Sequence, residues 1–245
     1  MATVAGRGPL RLRGAPGTVG GTFVLPDAPP VVDVMLALEG KQPTTLPAQV
    51  VRIGAKGLSS VRVDLPRWTP PGRYQGTVVI GAREERITVD VEPAQLVRVE
   101  PRRLVVRGRS KQVVAAEVTL SNVGNTAYDV RGVAMFALYD PSSLERATAK
   151  AFQSTGRAAK RGVEERFVDR LAAELREGYG GNVRLKVETG AGTLEPGDSR
   201  AVQVSLHLPD GLQTGRVYEG VWRIADLGYN VAVDTGGGIS EESVR

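Results

Sequence analysis

The chain has 245 residues, a formal net charge of +5 and no cysteine. The missing thiols exclude disulfides, thiolate metal sites and cysteine nucleophiles. The length allows two β domains of ordinary size, each with its own core, and a hydrophobic content of 41% is that of a globular chain.

Residues 10–13, 22–25, 31–38, 49–53, 60–65, 74–80 and 86–92 read as short strands. Pro or Gly separates nearly all of them, as at Pro29-Pro30, Gly54, Pro66 and Pro70-Pro71-Gly72. Short strands at this spacing predict a β-sandwich. Val61, Val63 and Leu65, and again Ile87, Val89 and Val91, place one face of each strand in a core.

Glu92-Pro93 closes this unit and Val97 opens the next, leaving a very short linker. The second unit repeats the plan, with strands expected over 96–99, 104–107, 113–121, 128–138, 183–188, 201–208, 217–224 and 229–234. Val114, Ala116, Val118 and Leu120 alternate with polar partners until Asn122-Val123-Gly124-Asn125 turns the chain. Val202, Val204, Leu206 and Leu208 are expected inside, with Gln203, Ser205 and His207 outside. Tyr218, Trp222 and Ile224 face in, as do Val183, Leu185 and Val187.

The β pattern lapses between Tyr139 and Gly180. Ser142-x-x-Glu145 after Pro141 offers a capping box, and Leu144, Ala147, Ala151 and Phe152 recur at helical spacing. A second helix over about 160–177 aligns Val163, Phe167, Leu171 and Leu175. These stripes are expected to pack on the sandwich and cover an edge strand, leaving polar faces free for a contact. Lys150, Arg157, Lys160 and Arg161 give the inter-helix turn a positive tip.

An internal repeat supports two copies of one fold. Leu65-Pro66 followed by Gly72-Arg73-Tyr74-Gln75-Gly76 matches Leu208-Pro209 followed by Gly215-Arg216-Val217-Tyr218-Glu219-Gly220, with one extra residue at Val217. Each tyrosine is expected to fill the edge of a core while its hydroxyl bonds backbone.

Pro70-Pro71-Gly72-Arg73-Tyr74-Gln75-Gly76-Thr77-Val78-Val79-Ile80, with the strand ending Val89-Asp90-Val91-Glu92-Pro93, resembles bacterial immunoglobulin-like repeats. Val99-Glu100-Pro101-Arg102-Arg103-Leu104 and Val118-Thr119-Leu120-Ser121-Asn122 are similar to the immunoglobulin-like superfamily that includes major sperm protein and the pilus chaperones. Leu194-Glu195-Pro196-Gly197-Asp198 fits the same pattern. The chaperone-like segment falls in the second domain, not the first, so no chaperone site carries over. The resulting expectation is an all-β chain of two tandem immunoglobulin-like β-sandwiches. They span 1–94 and 95–235, the second with a helical hairpin inserted at about 141–180, and 236–245 form a flexible tail.

Little in the sequence converges on catalysis. His207 is the only histidine, which defeats multi-histidine metal schemes, and its expected outward position argues against a Ser-His-Asp triad. Gly236-Gly237-Gly238 precedes no helix, and Asp64, Asp90 and Glu188 stand apart on outward positions. The expectation is no enzyme, no cofactor and no metal. Basic charge is concentrated in Arg98, Arg102, Arg103, Arg107, Arg109 and Lys111, opposed only by Glu100. That strip is the candidate for an anionic partner, but the absence of interleaved aromatics argues against nucleic acid. Trp68 is expected to cap the first core.

The reading is a non-catalytic structural or adaptor protein of a larger bacterial assembly, self-assembling or bound to a protein partner through its hairpin and sheet edges. A cell-envelope module for carbohydrate or anionic polymer is the alternative, and the accessory domain of a hydrolase a third. No apolar run has bilayer length, and the first residues lack a signal-peptide core. The chain is therefore expected in the cytoplasm, or in the envelope or secreted if Met1 replaces a removed signal peptide.

Overall fold

The computed structural model describes residues 10–25, 28–37, 44–54, 57–80, 83–155 and 163–236. Leu38, the tip residues Arg157, Lys160 and Arg161, and the tail beyond Gly236 lie outside them. The chain divides into two compact units. The first comprises 1–96 with 122–128 and 195–198, and the second holds the remainder.

In the first unit, alternation of apolar and polar residues makes seven strands. They are β1 (Leu10–Gly14), β2 (Gly20–Val24), β3 (Val31–Ala37), β4 (Thr44–Arg52), β5 (Leu58–Val63), β6 (Gly72–Ile80) and β7 (Arg83–Val91). In β3, for example, Val32, Val34 and Leu36 are buried while Val31, Asp33 and Met35 are exposed. The strands run in the order β1-β2-β5-β4-β3-β6-β7, and β1 lies parallel to β7, with Leu10 opposite Ile87 and Leu12 opposite Val89. The expected two-layer sandwich is thus a closed barrel. Its layers share hydrogen bonds on both sides, through β1 with β7 and through β3 with β4.

The second unit has β8 (Val97–Glu100), β9 (Leu104–Arg107), β10 (Val113–Asn122), β11 (Tyr128–Val130), β12 (Val133–Tyr139), β13 (Tyr179–Thr189), β14 (Gly192–Leu194), β15 (Ser199–His207), β16 (Val217–Ile224) and β17 (Leu227–Asp234). Its helices are α1 (Ser143–Thr155) and α2 (Val163–Glu177). The sheet order is β8-β10-β15-β13-β12-β16-β17-β9, with β11 and β14 paired separately. The strand expected over 128–138 is therefore two strands, in different sheets.

Both orders are one plan. With β8 and β9 together standing for β1, the strands β10, β12, β13, β15, β16 and β17 replace β2 to β7 one for one. First, second, fifth and fourth, then third, sixth and seventh, is the strand order of an immunoglobulin sandwich. In both units the fourth strand is also bonded to the third. The helices therefore fill the β12–β13 connection, where the first unit has only residues 38–43 between β3 and β4.

The paired tyrosines play equivalent parts. Tyr74 is buried and its hydroxyl donates to the Pro70 carbonyl at 2.8 Å; Tyr218 is fully buried and its hydroxyl accepts the Gln213 N–H at 3.0 Å. Most facing follows alternation, but Ser205, expected outside, is buried and donates to Glu188 Oε1 at 2.6 Å. Trp68 does not cap a core. It is 53% exposed, and the neighbouring Thr69 is the buried residue, donating to the Pro66 carbonyl at 2.7 Å. Among the described residues, no helix is long and apolar enough to cross a membrane.

Replacing Tyr218 by Phe removes the hydroxyl that accepts the Gln213 N–H while keeping the buried ring, so unfolding in denaturant should show a loss of about 1 kcal/mol. Replacing the exposed Tyr139 by Phe should leave the midpoint unmoved.

Candidate functional site

Two features stand out in the second unit: the helical hairpin and a groove at the end of β9. The hairpin starts from Asp140, not from the expected Ser142 capping box. The Asp140 carboxylate accepts the Ser142 N–H at 2.9 Å and its carbonyl accepts the Ser143 N–H at 3.0 Å. A charged acceptor suits the positive end of a helix. The same carboxylate pairs with Arg146 of α1 and lies 3.4 Å from Arg216 Nη1, at the start of β16. At the far end of α2, Gly178 is obligatory, because a Cβ there would come within 2.2 Å of the Ser143 side chain.

Along the hairpin, α1 and α2 pack chiefly on each other. Ala147 and Ala151 are fully buried, letting the helices approach, and the Phe152 and Phe167 rings meet at 5.0 Å. Glu174 lies buried between cations, 2.5 Å from Lys150 Nζ on α1 and 2.5 Å from Arg170 Nη2 one turn earlier. Several other apolar residues of the hairpin stay open to solvent. Leu144 is 59% exposed, Phe152 63% and Val168 59%, with Leu175 and the neighbouring Tyr139–Tyr179 ring pair also open to solvent. The expected role of covering an edge fails for a topological reason. Both strands that carry the hairpin are already paired on each side, β12 by β13 and β16, and β13 by β12 and β15.

Both anchoring carboxylates are held below their ordinary range. For Asp140, burial pushes upward, but hydrogen bonds from Arg146 and the Ser142 N–H, with the charges of Arg146 and Arg216, outweigh it. For Glu174, the hydrogen bond from Lys150 dominates, burial opposes it, and the charge of Arg170 adds to the lowering.

The basic strip is not a uniform surface. Arg98 pairs with Glu100 at 2.8 Å, and Arg103 pairs with Glu219 at 2.7 Å. Arg107 is 80% exposed and its Nε lies 3.7 Å from Asp234, while Arg109 and Lys111 have no carboxylate partner among the described residues. Arg107 and Arg109 line a groove of about 380 Å³ together with Gln112, Asp234 and Thr235. Lys150, expected at a positive tip, is committed to Glu174.

Nothing else gathers. His207 is exposed as expected, opposite Val113 and Arg184 in the sheet. Asp90 pairs with Arg73 and Glu188 with Lys186, on different units. Among the described residues, no group of three or more His, Asp or Glu could hold a metal ion.

No protein-family model matches the sequence, and neither does any curated protein. Among solved structures, the chain is similar to a protein of unknown function from Porphyromonas gingivalis W83, with 11% identity, 91% of this chain and 96% of that one covered, and a TM-score of 0.27. It is similar to domains 4 and 5 of the S-layer protein SbsC, with 14% identity, coverage of 68% and 66%, and a TM-score of 0.27. A titin fragment gives 10% identity, coverage of 93% and 96%, and a TM-score of 0.31. Overlaps this loose decide nothing about the fold, which rests on the strand orders above.

The lowered carboxylates set a pH dependence. The stabilisation from Asp140 and Glu174 is complete above their unfolded range near pH ~4 and is lost as pH falls through their lower folded values. Hydrogen exchange in α1 and α2 should therefore accelerate below pH about 4 before exchange in β12 and β16 does, and Asp140→Asn should bring faster α1 exchange already at pH 7.

Proposed function

We propose that the chain is a non-catalytic adaptor that binds a protein partner through the α1–α2 hairpin. One observation carries the reading. On two copies of one strand order, the hairpin is added between the third and fourth strands, and it leaves Leu144, Phe152 and Val168 each more than half exposed. Helices in a globular domain ordinarily turn their apolar stripe to a core. A stripe left open on an element that closes no edge is a contact surface.

The energetics suit a modest, specific interface. Covering three such side chains is worth about 1 kcal/mol each, since full burial is worth roughly 1.5–3 kcal/mol and part of each is already covered. Phe152, braced by Phe167, is the natural central anchor, because aromatic residues dominate interface energetics. The buried clamps at Asp140 and Glu174 hold the hairpin in shape before binding, which reduces the ordering cost of association. A protein partner also suits the mixed charge of α2, where Glu164, Glu165 and Asp169 alternate with Arg166 and Arg170.

The test is chemical cross-linking in the native cells with the wild-type chain and with the double variant F152E/V168E. Both positions are exposed, so the variant should keep its melting temperature. Loss of one specific cross-linked protein, with affinity reduced at least about tenfold on reconstitution, is the expected result. Retention of every cross-linked partner by the folded variant would overturn the reading.

A further inference from the structure

We propose that the groove beside β9 is a separate binding site for a hydroxylated anion, of the class of a sugar acid. It does not depend on the hairpin reading, because no hairpin residue contributes to it. Of the strip, Arg98 and Arg103 are occupied by Glu100 and Glu219. Arg107 has only the longer ion pair with Asp234, at 3.7 Å, and Arg109 beside it, with Arg102 and Lys111 elsewhere on the strip, has no carboxylate partner among the described residues.

The backbone around them is fixed before any ligand arrives. Gly108 N–H donates to the Asp234 carbonyl at 3.0 Å and Lys111 N–H to the Pro209 carbonyl at 3.2 Å. Gln112 N–H donates to the Arg109 carbonyl at 3.1 Å, and the Gln112 side-chain oxygen accepts the Arg109 N–H at 2.8 Å. Lys111 holds a φ of 62°, a conformation most residues avoid, inside this turn. With its oxygen engaged, Gln112 has only amide N–H donors left to offer.

The floor of the groove has the opposite character. Asp234 is 2% exposed and accepts the Gly236 N–H at 2.9 Å through Oδ1. Its Oδ2 has Arg107 Nε at 3.7 Å, an ion pair too long to be a hydrogen bond. The Thr235 hydroxyl is committed to the Gln213 and Arg216 carbonyls. The groove therefore presents two guanidinium groups and an amide donor around one carboxylate that can still accept a hydrogen bond. A bare anion would leave Asp234 unmatched and repelled; a neutral polyol would leave the arginines unmatched. An acid group on a hydroxylated ring satisfies both, with the acid on Arg107 and Arg109 and a hydroxyl donating to Asp234. About 380 Å³ lies in the usual range for a small-molecule site, roughly 300–1,000 Å³, and no aromatic ring lines it for base stacking.

Isothermal titration calorimetry of the full chain at about 0.15 M salt separates this site from general basicity. The probes are oligogalacturonate, which carries carboxylates on hydroxylated rings, and a polyacrylate oligomer of equal charge. Oligogalacturonate is expected to bind more tightly, and R107E/R109E to weaken it by about tenfold or more. R98E/R103E should stay within about twofold of wild type, because those arginines are already paired. D234N, checked by thermal melting, should narrow the gap between the two probes. Equal binding of both polymers, an equal loss in both arginine double variants, or no oligogalacturonate binding at all would overturn the proposal.

Discussion

Hydrogen bonding of the last strand of each unit to a strand from that unit's start is the constraint from which the rest follows. β1 runs parallel to β7 over five residue pairs, and β9 runs parallel to β17 over four. In the first unit this closes the ring outright. In the second the sheet ends at β8 and β9, successive strands of four residues each. A sheet without long free edges offers no template for another chain's strand. The expected route of assembly through sheet edges therefore has little to work with.

What is attached differs between the copies. The first unit has only residues 38–43 between its third and fourth strands, whereas the second spends the same connection on two helices tied down at their base by Asp140, Arg146 and Arg216. That tie explains why the hairpin can keep apolar residues outward and still hold its shape, which rests on buried ion pairs and on the buried Ala147 and Ala151 of α1. Removing one partner from such a pair leaves an uncompensated buried charge, so the clamps are costly to break even where their net contribution is small.

The sequence made local features legible and long-range ones hidden. Alternation in β15 and β16 assigned Val202, Val204, Tyr218 and Trp222 to the interior correctly, because side-chain direction is a property of the strand itself. The repeat around Tyr74 and Tyr218 pointed to two corners for the same reason. Ring closure was not legible, since alternation says which face is buried and nothing about which strand lies alongside. Ser205 broke the rule because Glu188, on the neighbouring strand, takes its hydroxyl. The basic strip failed similarly. Arg103 and Glu219 lie 116 residues apart in the chain, so six cations that looked alike separate into paired and unpaired only in the fold. Asp234 and Glu174 carried no signal at all; each is an acid in an amphipathic run until its buried partners are known.

Hydrogen exchange on the closing strands tests ring closure most directly. The hydrogen-bonded amides of β1 should exchange as slowly as those of β7 beside it, because the pair opens only with the barrel. Exchange of β1 at the rate of an unpaired sheet edge, while β7 stays protected, would contradict closure and restore strand addition to the first unit as a route to assembly.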